Sequence, residues 1–222
     1  MKLTPPKAIL FDLDGTLVDT APDFYDVVNS LRADEGLPAL DHERIREQVS
    51  NGGIALACLT FEITADHNDI QAYRMRVLDR YSTCIGSLSG YFPGFDETIK
   101  GIEAAGIRWG IATNKPRAYT DPLLANLGIH CDSVICPEDV SQSKPAPDAL
   151  LLGAQQLNVN ASECWYVGDH LRDMEAAKAA GMLAIAARFG YLEASDNGSL
   201  WPVDLWIEQP TDLLTLIAAH QA

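Results

Sequence analysis

Asp12 and Asp14 stand two residues apart, directly after the apolar run Ala8-Ile9-Leu10-Phe11 and directly before Gly15-Thr16. Such a run reads as a buried strand of a parallel sheet. A carboxylate at its exposed end is costly unless something uses its charge, and two of them call for a cation or a shared proton. Three further strand-like runs lead into polar groups: Arg108–Ala112 into Thr113-Asn114, Ser133–Cys136 into the loop holding Ser143-Lys144-Pro145, and Cys164–Val167 into Gly168-Asp169-His170-Leu171-Arg172-Asp173. In a parallel sheet these ends meet on one edge. Asp12, Asp14, Asp169 and Asp173 would repel one another there, and a hard divalent cation relieves this. Mg²⁺ suits a site of one or two carboxylates, waters and a substrate phosphate. Lys144 brings positive charge for an anion, Thr113 a hydroxyl, and the Asp14-Gly15-Thr16 turn its backbone N–H groups. Metal, ammonium and amides around a carboxylate are the parts of a phosphoryl-transfer site.

The elements that must position these groups alternate. To the strands above are added Leu183–Ala187 and Asp204–Ile207, with helical patterns at Asp96–Ala105, Asp148–Leu157 and Asp173–Ala180. Alternating strands and helices predict an α/β fold, a Rossmann-like open parallel sheet with helices on both faces. Residues 20–91 break this rhythm. No good strand is expected there, and Pro22–Arg32, Asp41–Val49, Ile54–Leu59 and Asn68–Cys84 read as helices. The expected division is a core of residues 1–19 and 92–222 with an all-helical cap, 20–91, inserted after strand one. It would overhang the carboxyl ends of the strands, where open α/β sheets bind ligands, and could act as a lid.

Composition narrows the partners. Sixteen basic against 31 acidic side chains give a net charge of −15 over 222 residues, which argues against nucleic acid. The five cysteines, Cys58, Cys84, Cys131, Cys136 and Cys164, include no C-x-x-C pair, so zinc and disulfide frameworks are not expected. No signal-like or membrane-spanning apolar stretch occurs. A cytoplasmic location is expected; the oligomeric state is left open.

Asp12-x-Asp14-Gly15-Thr16, Thr113, Lys144 and Gly168-Asp169-x-x-x-Asp173, in this order along the whole chain, resemble the four motifs of the haloacid dehalogenase-like superfamily. The insert's position resembles the helical cap of its phosphoglycolate phosphatase-like branch. The resemblance implies a phosphatase with Asp12 as nucleophile, forming an aspartyl-phosphate, and Asp14 as general acid/base with its backbone carbonyl on Mg²⁺. It implies that Thr113 and Lys144, with Asn114 alongside, hold phosphoryl oxygens, that Asp169 ligates the metal and that Asp173 supports the metal site. The chemistry agrees. A sugar or glycolate alkoxide leaves poorly without a proton, and Asp14 can supply one if neighbouring like charges keep it protonated. Attack by Asp12 splits a hard displacement into two easier steps.

Phe189-Gly190-Tyr191, Ser50-Asn51-Gly52-Gly53 and Asp196-Asn197…Trp201 are similar to bacterial N-acetylmuramic acid 6-phosphate phosphatases of cell-wall recycling. The expected substrate is therefore a small phosphorylated metabolite of that kind. The alternatives are 2-phosphoglycolate, a phosphomutase reaction, a haloacid dehalogenase, and a receiver-like module that merely carries a phospho-aspartate. Asp173 also fits an N-cap of the helix through Ala180. His170 fits an exposed or supporting role. Arg44, Arg46, Arg74, Arg76 and Arg80 read as a solvated helix face, and Tyr191, Trp201 and Trp206 as packing residues.

Overall fold

Strand β1, Ala8–Phe11, is buried along its whole length, as the unbroken apolar run requires. A two-residue strand β2 (Val18–Asp19) then leads into four helices, α1 (Ala21–Asp34), α2 (His42–Val49), α3 (Gly52–Phe61) and α4 (Ile70–Ser82). Strand β3 (Gly90–Tyr91) returns the chain to α5 (Phe95–Ala104), β4 (Arg108–Ala112), α6 (Arg117–Leu127) and β5 (Val134–Ile135). There follow α7 (Asp148–Gln156), β6 (Cys164–Gly168), α8 (Leu171–Ala180), β7 (Leu183–Ala187), β8 (Leu205–Ile207) and α9 (Asp212–Ala218). The computed structural model describes residues 4–192, 198 and 200–219, so Asp196 and Asn197 lie outside the described residues.

The main sheet has the order β5-β4-β1-β6-β7-β8, all pairs parallel. The chain runs outward from β1 in one direction and then restarts beside it, so β1 and β6 flank the point where the order reverses. That is where such sheets leave a crevice. Alternation along the strands divides the core. Ile9, Phe11, Trp109, Ile111 and Val167 join the side chains of α5, α6 and α9 on one face. Ala8, Leu10, Ala112, Ala184 and Ala186 meet α7 and α8 on the other, where small residues let the helices approach closely. Each fully buried Ile, Leu or Phe contributes on the order of 1.5–3 kcal/mol relative to exposure.

Three features depart from expectation. Gly90–Tyr91 pairs antiparallel with Val18–Asp19, so residues 20–91, where no strand was expected, do contain a short one, separated from its partner in the chain by the four helices. Helix α6, with Pro122 inside it, and helix α9 were not foreseen. The Ser133–Cys136 strand is shortened to Val134–Ile135, because the Cys136 N–H turns to the Asp139 carboxylate (2.8 Å). Two buried ions tie the insert together. Arg32 donates to the carbonyls of Pro38, Leu59 and Thr60 and to Glu62. Asp23 accepts the Gly86 and Leu88 N–H groups and the Ser87 and Ser89 hydroxyls.

Candidate active site

Where β1 ends, the Asp12 carboxylate is almost fully buried (4% exposed). Its Oδ1 accepts the Leu13 N–H at 2.8 Å and the Lys144 ammonium at 2.8 Å. The same ammonium lies 2.8 Å from Asp173 Oδ1 and donates to the Tyr166 hydroxyl at 2.8 Å. All three of its N–H bonds therefore have partners. Burial works against the charge on Lys144, yet Asp12 and Asp173 hold its pKa above the ordinary value. Asp173 is likewise buried, but Lys144 and Arg172 draw its carboxyl below the usual range. For Asp12, burial together with the charge of Asp173 outweighs Lys144 and raises the carboxyl.

Oxygen atoms of Asp12, Asp169 and Asp173 all lie within 4.8 Å of one another. Asp169 accepts the Thr16 hydroxyl on Oδ1 at 3.0 Å. Its Oδ2 takes the Tyr191 N–H at 2.8 Å and the Ser50 hydroxyl at 3.3 Å. Burial first, then the charges of Asp12 and Asp173, push its carboxyl up to about 7. Three clustered buried carboxylates, of which Lys144 pairs with two, carry surplus negative charge, and oxygen donors so arranged fit a hard divalent cation. Gly15 makes the crowding possible. Its φ is +82°, and a Cβ there would lie 2.2 Å from Asp169 Oδ2, so only glycine can hold this turn.

Asp14 does not join the cluster. Its carboxylate accepts the Thr20 hydroxyl at 2.6 Å and the Lys115 ammonium at 3.0 and 3.3 Å. A positive charge therefore faces it where like charges were expected. Burial opposes the charge on Lys115, but Asp14 and the neighbouring Tyr81 raise its pKa. The turn also differs from expectation in that the Gly15 N–H is taken by the Val18 carbonyl at 3.0 Å.

Thr113, buried at the end of β4, accepts the Lys115 N–H at 3.0 Å and borders the cavity above Asp12. Asn114 was expected to meet phosphate, but both ends of its amide are committed to the Lys144 main chain, at 2.9 and 3.1 Å. It holds the lysine loop in place. Asp173 is not the helix N-cap. His170 takes that position, and Asp173, three residues on, accepts the His170 N–H at 3.0 Å while its other oxygen faces Lys144. The His170 ring stacks on Trp201, which stacks on Trp206. The Tyr191 hydroxyl links the Ala21 N–H to Asp19, and Arg46 is paired with Asp19 at 2.9 Å above the Tyr191 ring, not free in solvent. The missed residues are Lys115, Tyr166 and Arg172. Lys115 follows Thr113-Asn114 at a strand end and could have been found by the same reasoning; Tyr166 lies inside β6 and gave no such signal.

A cavity of about 290 Å³ opens over Asp12, Asp14 and Thr113, the lower end of the range for small-molecule sites. Its core wall includes Lys115 and Tyr119. Its insert wall carries Phe24, the Ser50–Gly53 loop, Leu56, Arg74, Leu78 and Tyr81. Arg172 bridges the two walls, donating to the Ser50 carbonyl at 2.6 Å.

The chain is 39% identical over 219 residues to an N-acetylmuramic acid 6-phosphate phosphatase of Pseudomonas aeruginosa, covering 98% of this chain and 97% of the relative. It is 38% identical over 213 residues to a phosphoglycolate phosphatase of Xanthomonas campestris pv. campestris, covering 94% and 95%. A solved structure from Haemophilus somnus, described as a predicted phosphoglycolate phosphatase, shares the fold, with a TM-score of 0.80 at 24% identity over 96% of this chain and 99% of the other. Residues 9–187, from β1 to the end of β7, match the haloacid dehalogenase-like hydrolases, and the chain belongs to that family.

Proposed function

We propose that the chain is a Mg²⁺-dependent phosphomonoesterase acting through an aspartyl-phosphate at Asp12, with residues 20–91 closing as a lid over the core. The observation that carries this reading is the buried triad of Asp12, Asp169 and Asp173, with Lys144 bridging Asp12 and Asp173, at the edge of a cavity of small-molecule size. Asp12, Asp169 and the Asp14 carbonyl would hold the ion, with Asp173 in support. Mg²⁺ bound there supplies positive charge against the phosphoryl oxygens. Asp12 Oδ1 is occupied by Leu13 and Lys144, which leaves Oδ2 to attack phosphorus as the ester P–O bond breaks. Lys144 exchanges one of its present contacts for a phosphoryl oxygen, and the Thr113 hydroxyl meets another. Asp14 picks up a proton as substrate enters and gives it to the departing alkoxide. It then takes one from the water that hydrolyses the aspartyl-phosphate and releases it to solvent as it returns to Lys115, so protons balance over the cycle. Thr20 and Lys115 hold Asp14 until the leaving oxygen arrives.

For the substrate, N-acetylmuramic acid 6-phosphate is preferred to 2-phosphoglycolate. Phe24, Leu56, Leu78, Tyr81 and Tyr119 give the cavity apolar wall that a two-carbon ester would leave uncovered. An acetylated sugar has the bulk and the apolar groups to cover it. The named relatives support both readings. The five cysteines are free thiols, in keeping with a reducing cytoplasm, and among the described residues no helix is long and apolar enough to cross a membrane.

Phosphate release from a panel of phosphorylated metabolites tests this reading. Turnover is expected with Mg²⁺ and not after chelation, with kcat/KM greatest for N-acetylmuramic acid 6-phosphate. A larger value for 2-phosphoglycolate would reverse the substrate assignment, and full activity in chelator would remove the metal. Asp14→Asn is expected to lower kcat by on the order of 10²–10⁴-fold for the sugar ester and much less for p-nitrophenyl phosphate, whose phenolate leaves without a proton. Equal losses on both would rule out the acid role.

A further inference from the structure

The insert holds six arginines and no lysine. Four of the arginines are tied to carboxylates: Arg32 to Glu62, Arg46 to Asp19, Arg76 to Glu35 and Arg80 to Asp34. Arg44 is exposed on α2. Arg74 is different. It is half-buried in the insert wall of the cavity and has no ion-pair partner among the described residues, in a chain with a net charge of −15. An arginine kept out of ion pairs where acids are plentiful, and set into a cavity wall, is available to an incoming anion.

The site's two lysines are paired, Lys144 with Asp12 and Lys115 with Asp14, and Arg172 is tied to the Ser50 carbonyl at 2.6 Å on the side of the cavity next to Asp169 and Asp173. Those three serve the reacting end. Arg74 stands on α4 instead, and Gly53 at the start of α3 leaves it room. A Cβ on Gly53 would come within 3.3 Å of Arg74 Cγ and 3.4 Å of its Nε. With Arg74 the only insert cation on this cavity wall among the described residues, the wall balances one negative charge, not two. A planar guanidinium matches a carboxylate with two parallel hydrogen bonds.

We infer that Arg74 is a specificity residue that binds a carboxylate on the substrate, remote from the phosphate, so that the preferred substrate is a phosphorylated sugar acid. This rests on the phosphatase reading above and adds the group that the insert recognises.

The test compares N-acetylmuramic acid 6-phosphate with N-acetylglucosamine 6-phosphate, which lacks the lactyl carboxylate, using p-nitrophenyl phosphate turnover to report the phosphatase itself. Wild type is expected to prefer the acid. Arg74→Ala and Arg74→Gln are expected to lose on the order of 10- to 100-fold in kcat/KM for it, mainly through KM, collapsing the preference toward unity. Arg74→Lys should keep part of it. If the variants lose equally on both sugars, or keep the wild-type preference, Arg74 does not read the carboxylate while the phosphatase reading stands. If wild type cleaves p-nitrophenyl phosphate but neither sugar ester, or prefers the neutral one, the proposal is overturned together with the sugar assignment. No cleavage of any ester by wild type would overturn the phosphatase reading itself, and this inference with it.

Discussion

Asp12→Asn is expected to lower turnover by at least about 10⁴-fold on every phosphate ester, the scale of losing a covalent nucleophile. A neutral amide does not attack phosphorus. The substitution keeps the side chain's shape, and its carbonyl can still accept the Leu13 N–H now bound at 2.8 Å. Lys144 keeps Asp173, also at 2.8 Å. The repulsion that Asp12 now exerts on Asp169 disappears. The variant should therefore fold, and thermal unfolding should show a midpoint close to wild type. Steady-state phosphate release and acid-quench detection of the phosphoenzyme would check both parts. A folded variant that retains even a tenth of the activity would rule out Asp12 as the nucleophile.

Lys144→Met is expected to harm both the fold and the reaction. The lysine side chain is fully buried, between Asp12 and Asp173. Removing one member of a buried ion cluster leaves the others uncompensated, at a cost of about 3–5 kcal/mol. For a protein of this length that corresponds to a fall in the unfolding midpoint of roughly 6–20 °C. Turnover should drop by on the order of 10³-fold, as expected for loss of a preorganised charge at the reacting group. Adding Asp173→Asn should recover part of the stability but not the rate, because the double variant relieves the surplus charge without restoring a cation. Millimolar Mg²⁺ should likewise raise the midpoint of Lys144→Met more than that of wild type. A single variant as stable as wild type would mean that Lys144 does not hold the carboxylates together.

Much of the fold was legible because burial on both faces forces a local signature. Ala8–Phe11, Cys164–Val167 and Leu183–Ala187 are apolar throughout, and each forms a central strand. Helix α6 escaped because Pro116 precedes it and Pro122 lies within it, residues that ordinarily mark breaks. The β2–β3 pair escaped for a different reason. Two-residue strands have no periodicity, and Val18 pairs with Tyr91 across four intervening helices. The shortened β5 reflects competition by a side chain, the Asp139 carboxylate, for a backbone N–H.

At the site, the sequence by itself determined which residue types end the strands. Parallel pairing then brings Asp12 at the end of β1 beside the Gly168-Asp169 end of β6 with little freedom, since Phe11 pairs with Val167. It could not determine which way each side chain turns. Asp14 lies two residues from Asp12, yet its charge goes to Lys115, about 100 residues away. Asn114 serves the Lys144 backbone, and among the described residues Arg74 has no ion-pair partner while its neighbours on α4 find acids. Where the strands lie along the chain follows from short-range hydrophobic pattern, which is local in the chain. The pairing of charges depends on distances between groups remote in sequence, and only the folded chain sets those.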